Sequence, residues 1–214
     1  MTCADFGDGF KALTGHDDFM PWQTNRFDCF IAGKFPPNIP IPTGMGKTSI
    51  LAIWLLALAH RSLNGNVEEF PRRLAYVVNR RTVVDQATAE AEQLRANLEK
   101  TELAEIAKAL RGLAADDSTD SPLSISTLRG EFADNGEWRM DPARPAIIVG
   151  TVDMIGSRLL FSGYGRCGFK SKPLHAGLSS FAEHPVARCG TFTRRWRHPA
   201  RLRDHFRLGS RTRG

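Results

Sequence analysis

The stretch Ile41–Ile50, IPTGMGKTSI, decides the fold of this chain. Gly44 and Gly46 let the backbone approach a ligand closely, because glycine has no Cβ to clash with it. Successive N–H groups in such a turn, at the start of a helix, point into one concavity and attract anions. Lys47 and Thr48 follow in the order in which a lysine reaches the β- and γ-phosphates and a hydroxyl binds Mg²⁺. The stretch therefore predicts a loop that holds a nucleoside triphosphate.

The loop departs from the general pattern at one position. The pattern G-x-x-x-x-G-K-[ST] has its first glycine where this chain has Ile41, so the stretch instead fits the variant P-T-G-x-G-K-T, Pro42–Thr48. The flanking sequence agrees with this interpretation, because Ile39 and Ile41 fit a short strand entering the loop and Lys47–Leu63 predicts an apolar helix leaving it. The alternative interpretation is a glycine turn followed by an unrelated lysine.

Strand and helix patterns alternate along the rest of the chain. Short apolar runs with β-branched residues predict strands, and apolar residues at helical spacing predict helices. This alternation predicts an α/β fold, with a parallel sheet flanked by helices. The predicted strands are 74–78, 123–128 and 146–149; the predicted helices are 22–32, 82–98, 102–113 and 152–161; residues 1–20 are predicted to be loop or short helix.

The basic charge is concentrated at the end of the chain. The formal net charge is +6, yet residues 1–176 carry 20 Lys and Arg against 21 Asp and Glu, whereas residues 177–214 carry nine Arg, no Lys and two acids. Two different compositions therefore share one chain.

The four cysteines form no C-x-x-C pair, which argues against a zinc site or a disulfide framework. No run approaches the roughly 20 apolar residues of a membrane span, and no signal pattern opens the chain, so we expect a cytoplasmic protein.

Four segments resemble one family of helicases. Pro42–Thr48 resembles the nucleotide loop of superfamily 2 helicases and translocases, which usually has the form [A/P]-x-T-G-x-G-K-T. Upstream, Gln23 stands where those helicases keep a glutamine that reads adenine, since an amide both donates and accepts. Three further segments narrow the resemblance to the helicase of type I CRISPR interference systems, nearest the I-U (I-G) variant. They are LAYVVNRRTVVDQA (74–87, motif Ia), SISTLRGEFADNGEW (124–138, motif Ib) and IIVGTVDMIGSRLLFSGYG (147–165, motif Ic).

The resemblance covers roughly residues 10–176 and implies an incomplete single RecA-like lobe with the P-loop NTPase fold. The intact relatives are ATP-dependent DNA helicases that an RNA-guided surveillance complex recruits and that pull single-stranded DNA. The resemblance implies ATP and Mg²⁺ as cofactors, with Lys47 and Thr48 as the catalytic pair and Thr48 as the metal ligand. The implied nucleotide contacts are Gln23, Thr43, Gly44, Met45, Gly46, Lys47, Thr48 and Ser49. The implied contacts to DNA phosphates, which are independent of base sequence, are Arg80, Arg81, Thr127, Arg129, Gly130, Thr151 and Arg158.

The magnesium partner of the family is missing from the sequence. These helicases carry D-E-x-H or D-E-x-D on the strand after motif Ic, where the carboxylates help hold Mg²⁺ and orient the attacking water, but this chain contains no Asp-Glu dipeptide. Asp153 is interpreted as part of motif Ic because Gly150 and Thr151 separate it from the preceding apolar run. The resemblance stops near Gly177, where the motif is due and the arginine-rich composition begins. We therefore hypothesise that residues from about 177 onward are translated in a shifted reading frame; the alternative is an authentic basic tail that binds nucleic acid by charge.

The predicted organisation is an N-terminal segment with the adenine-reading element (1–37), a partial helicase lobe (38–176) and an arginine-rich tail (177–214) that is expected to be disordered or frameshifted. The predicted function is binding of ATP and single-stranded DNA without unwinding, which leaves open whether this chain is an enzyme. Two alternatives belong to other classes. One is a P-loop kinase or a restriction-type translocase subunit, although a kinase would usually keep the glycine that Ile41 replaces. The other is a non-enzymatic basic nucleic-acid-binding protein.

Overall fold

The computed structural model describes residues 3–42, 44–115, 121–128, 137–161 and 187–188. Within these ranges strands are interspersed with helices from residue 50 onward. The helices are α1 (Cys3–Thr14), α2 (Pro21–Ile31), α3 (Ile50–Leu63), α4 (Arg81–Asn97), α5 (Ala104–Arg111), α6 (Glu137–Met140) and α7 (Val152–Phe161). The strands are β1 (Arg73–Val78), β2 (Ser124–Leu128), β3 (Ala146–Thr151) and the two-residue β4 (Ala187–Arg188), and turns of 3-10 helix precede α3 at Lys47–Ser49 and α5 at Thr101–Leu103.

The strands form one parallel sheet in the order β2-β3-β1-β4. β3 lies in the middle: Ala146 pairs with Arg73 of β1 on one side and with Ser124 of β2 on the other. The outer edge of β1 pairs at Tyr76 and Val77 with β4 within the described residues. Because all pairs are parallel, the carboxyl ends of β1, β2 and β3 lie at one edge of the sheet. The predicted α/β fold with a parallel sheet flanked by helices is confirmed.

Side chains on the two faces of the sheet enter separate apolar cores. The larger core receives alternate residues of the strands, among them Leu74 and Tyr76 of β1, and packs them against α1 to α5. The smaller core contains Ala75 and Ile148 from the opposite face, together with Trp138 of α6 and other side chains. The period of two along each strand explains this division, because successive side chains point to opposite faces. α3 is surrounded in the larger core, and its residues 50–59 are all buried.

Two sequence predictions need correction. The predicted strand at Ile39 and Ile41 is wrong: the N–H of Ile41 donates to the carbonyl of Ile39 at 2.8 Å, which makes a tight turn. Four prolines between Lys34 and Pro42 explain the failure, since proline has no N–H to donate to a sheet. Residues 1–20 contain a longer ordered element than predicted. The three-turn helix α1 buries Phe6, Phe10 and Leu13, which are spaced to share one helix face.

Candidate nucleotide-binding site

The turn before α3 contains two glycines in the left-handed conformation. Gly44 has φ +87° and Gly46 has φ +64°, a left-handed conformation that side chains other than glycine adopt at a cost. Gly46 directly precedes the 3-10 turn Lys47–Ser49, which continues into the 14-residue α3. The start of this helix therefore follows a turn whose backbone is open to solvent, since Gly44 and Gly46 are both exposed. Unpaired N–H groups at such a helix start favour an anion.

Gln23 of α2 contacts this loop through Ser49. Its Nε2 donates to the hydroxyl of Ser49 at 2.7 Å, and that hydroxyl donates to the carbonyl of Gly46 at 2.7 Å. The backbone N–H of Met20 donates to Oε1 of Gln23 at 2.6 Å, so the same amide also caps the first turn of α2. Gln23 is 6% exposed and Ser49 is 9% exposed. The structure thus brings together two predicted nucleotide contacts that lie 26 residues apart in the sequence.

Lys47 and Thr48 lie at the start of the helical segment, where both side chains are partly exposed. Within the described residues, neither the Lys47 ammonium nor the Thr48 hydroxyl takes part in a hydrogen bond or an ion pair. Both groups are therefore available to a ligand at the loop. Met45 is exposed at the same turn, with 38% of its surface accessible. Thr43, also predicted to contact the nucleotide, lies outside the described residues.

The fit of the predicted cofactors to these residues is partial. A triphosphate fits the open turn, the left-handed glycines and the lysine. For Mg²⁺, Thr48 is the one predicted protein ligand. Among the described residues, no group of three or more His, Cys, Asp or Glu side chains is arranged to hold a metal ion. Bound Mg²⁺ would therefore depend mainly on oxygens of the phosphates and of water, as is usual for this cation.

A buried cation lies one helical turn from Gln23. Arg26 of α2 is 7% exposed, and neither Nε nor Nη1 of its guanidinium has a hydrogen-bond partner. Burial lowers the pKa of Arg26, and Cys29 has a smaller opposing effect. In the sequence, the spacing of three from Gln23, toward the same side of a helix, is the signal that points to Arg26.

Three segments that contain predicted DNA contacts meet, in their described parts, at the carboxyl edge of the sheet. Val78, the last residue of β1, pairs with Thr151 of β3, and β2 ends beside Gly150. Arg80 and Arg81 follow β1 at the start of α4, and both are exposed. The parallel topology therefore brings Val78 and Thr151, which are 73 residues apart in the sequence, side by side at this edge.

The two threonines of this set have partners within the protein. The hydroxyl of Thr127 lies 3.0 Å from that of Thr88 in α4, which joins β2 to that helix. Thr151 is 8% exposed, and its hydroxyl accepts the N–H of Met154 at 3.4 Å in the first turn of α7. These contacts give each threonine a structural role beside its predicted role in binding DNA. Of the other predicted contacts, Arg129 and Gly130 lie outside the described residues, and Arg158 is on α7 with an undescribed side chain.

Comparisons of the chain with protein-family models, curated proteins and solved structures gave no match. Among the described helices the longest is α4, with 17 residues, and none combines the length and apolarity that crossing a bilayer requires.

Proposed function

We propose that this chain binds ATP at the loop Gly44–Ser49 and single-stranded DNA at the carboxyl edge of the sheet, as a partial lobe similar to that of CRISPR-associated DNA helicases. The observation that carries the proposal is the loop itself: two left-handed glycines precede Lys47 and Thr48 at the start of a buried helix, and Gln23 contacts the loop from α2. In intact relatives an RNA-guided surveillance complex would be the partner.

The loop would bind the triphosphate through its backbone and through two side chains. N–H groups at the start of the helical segment would face the phosphate oxygens, where the helix dipole favours negative charge. The Lys47 ammonium would neutralise the β- and γ-phosphates, and the Thr48 hydroxyl would contact Mg²⁺. Mg²⁺ would supply charge neutralisation across the phosphates. Because the sequence lacks an Asp-Glu pair to orient water, we expect ATP binding with weak or no hydrolysis.

The test of the nucleotide site is Lys47→Ala, with Lys100→Ala as the control. Lys100 is exposed and precedes α5, so its removal changes the net charge equally without touching the loop. A charge-assisted contact of about 1.5–3 kcal/mol predicts that Lys47→Ala weakens ATP binding roughly 10- to 150-fold. Isothermal titration calorimetry with ATP and Mg²⁺ measures the change. Equal ATP affinities for Lys47→Ala and the unmodified chain would refute the site.

The DNA surface is tested through the salt dependence of binding. Arg80 and Arg81 are exposed at the sheet edge where three predicted DNA-contacting segments meet. Each phosphate contact to a single strand contributes about 0.7 to the slope of log K against log salt. The double variant Arg80→Ala/Arg81→Ala should therefore flatten that slope by about 1.4 with a fluorescent oligothymidine. A matched double variant at two exposed positions, Lys100→Ala/Lys108→Ala, should keep the slope.

A second candidate function rests on the charge distribution. The nine arginines of residues 177–214 would bind nucleic acid non-specifically if the tail is authentic. Deleting residues 177–214 should then remove DNA affinity and its salt dependence while ATP binding survives. If the edge of the sheet binds DNA, the deletion leaves the slope contributed by Arg80 and Arg81 in place.

Sequencing the coding DNA from codon 170 onward tests the frameshift hypothesis, because a D-E-x-H motif in another frame would identify a broken helicase gene.

A further inference from the structure

The amide of Gln23 is engaged at both ends by the protein itself. Oε1 accepts the backbone N–H of Met20 at 2.6 Å, and Nε2 donates to the Ser49 hydroxyl at 2.7 Å. These partners fix the orientation of the amide, because a backbone N–H can face only its oxygen. The single proton of the Ser49 hydroxyl is used in turn, since it donates to the carbonyl of Gly46 at 2.7 Å. A directed relay of hydrogen bonds therefore runs from the start of α2 to the loop.

Recognition of adenine by Gln23 would require donor and acceptor groups of its amide, and the protein already uses some of these groups. An adenine edge is recognised by one N–H and one carbonyl oxygen of an amide acting together. Gln23 keeps one N–H and one lone pair beyond the relay, but the side chain is 6% exposed. A Cβ added at Gly46 would lie 3.7 Å from Nε2 of Gln23, so the amide lies close to the loop. With both ends bonded and 6% of the residue exposed, the amide has little surface left for a base.

We propose that Gln23 is a positioning residue for the loop and that the site selects the triphosphate rather than the base. This inference rests on the proposed nucleotide site. Gln23 acts through Ser49, whose hydroxyl holds the Gly46 carbonyl and with it the left-handed turn before Lys47. ATP and GTP then bind with affinities within about threefold of each other. Inorganic tripolyphosphate, which has no base, competes for the same loop.

A double-mutant cycle on the full chain tests the relay, with ATP, GTP and tripolyphosphate as the titrated ligands. Gln23→Ala and Ser49→Ala each remove one link, and a net hydrogen-bond contribution of about 0.5–1.5 kcal/mol predicts a roughly 2- to 12-fold loss of affinity for ATP and GTP alike. Since both changes break one relay, the double variant should lose little more than either single variant. Thr24→Ala, on the same helix turn, is the control and should keep the affinity.

The outcomes separate this inference from the proposed function. Binding of none of the three ligands by the unmodified chain would overturn the nucleotide site, and the relay's role with it. ATP affinity at least tenfold above GTP affinity in the unmodified chain would overturn the inference alone, and loss of that preference in Gln23→Ala but not in Ser49→Ala would identify Gln23 as the contact to adenine. The ratio of ATP to GTP affinity in the unmodified chain decides the question even if a variant fails to fold.

Discussion

Gly150 lies in the middle of the sheet where there is no room for a side chain. A Cβ at this position would lie 2.9 Å from the Cβ of Leu128, 3.1 Å from the carbonyl oxygen of Leu128 and 3.1 Å from Cγ1 of Ile155. Carbon atoms pack best at about 3.5–4.0 Å, so Gly150→Ala must push β2 or α7 away. Forcing one methyl group into a packed core costs about 1–3 kcal/mol, and we expect a loss of that size in the free energy of unfolding.

Gly156 of α7 provides the control, because it is a nearby glycine that has room for a methyl group. Among the described residues, and apart from its chain neighbours and the backbone of its own helix, a Cβ there meets no atom within 4 Å, and the residue lies inside α7. Gly156→Ala should therefore stabilise the chain by about 0.5–1 kcal/mol, since alanine restricts the unfolded chain and favours helix. Urea unfolding followed by circular dichroism measures both changes as shifts in midpoint at constant m-value. Equal stability of Gly150→Ala and the unmodified chain would refute the packing argument at β3.

Three further predictions concern buried charge and the sheet edge. Arg26→Met should leave the free energy of unfolding unchanged or raise it, because an apolar side chain replaces a buried guanidinium with two unpartnered nitrogens. A decrease in the free energy of unfolding of more than about 1 kcal/mol would contradict this. Asp141→Asn should cost about 1.5–3 kcal/mol in thermal or urea unfolding, because the buried carboxylate accepts two backbone N–H groups at 2.8 Å and an amide can accept just one of them. The outer edge of β1 pairs at two residues within the described chain, so its remaining N–H and C=O groups can pair with a second molecule. Size-exclusion chromatography should therefore show oligomers that grow with protein concentration, and a sharp monomer peak at every concentration would contradict this.

The sequence predicted β1, β2 and β3 and most of the described helices because their patterns are local, whereas the two-residue β4 lies in the arginine-rich tail, where no strand was predicted. The predicted strand 74–78 corresponds to β1 at Arg73–Val78, and the predicted helix 152–161 corresponds to α7 at Val152–Phe161. Strands buried on both faces give continuous apolar runs, and α4 shows the spacing of an amphipathic helix. The four-residue α6 was not predicted, since one turn carries no periodicity. Its Trp138 is fixed by the smaller core rather than by helix propensity.

The residues of the candidate site could be predicted from the sequence, whereas the hydrogen bonds between them could not. The glycines, Lys47 and Thr48 follow from the phosphate-loop pattern, and the position of Gln23 upstream follows from the family resemblance. The relay through Ser49 depends on the packing of α2 against α3, which brings residues 26 apart into contact. No periodicity or spacing in one sequence encodes that contact. The same holds for Thr127, whose bond to Thr88 appears once β2 and α4 are packed together.

The loop is not preceded by the strand predicted at Ile39 and Ile41, so other contacts must support its backbone. In the described chain the loop follows a proline-rich turn at Ile39–Pro42, so no ladder of backbone hydrogen bonds fixes the entering segment. Its support comes instead from the Gln23 relay and from α3, whose side chains share the larger core with β1. Trp54 of α3 strengthens that link by donating to the carbonyl of Pro71, just before β1, at 3.0 Å. Because close-packed interiors transmit displacement, we expect a ligand that moves the start of α3 to act on β1, which ends at the edge proposed to bind DNA.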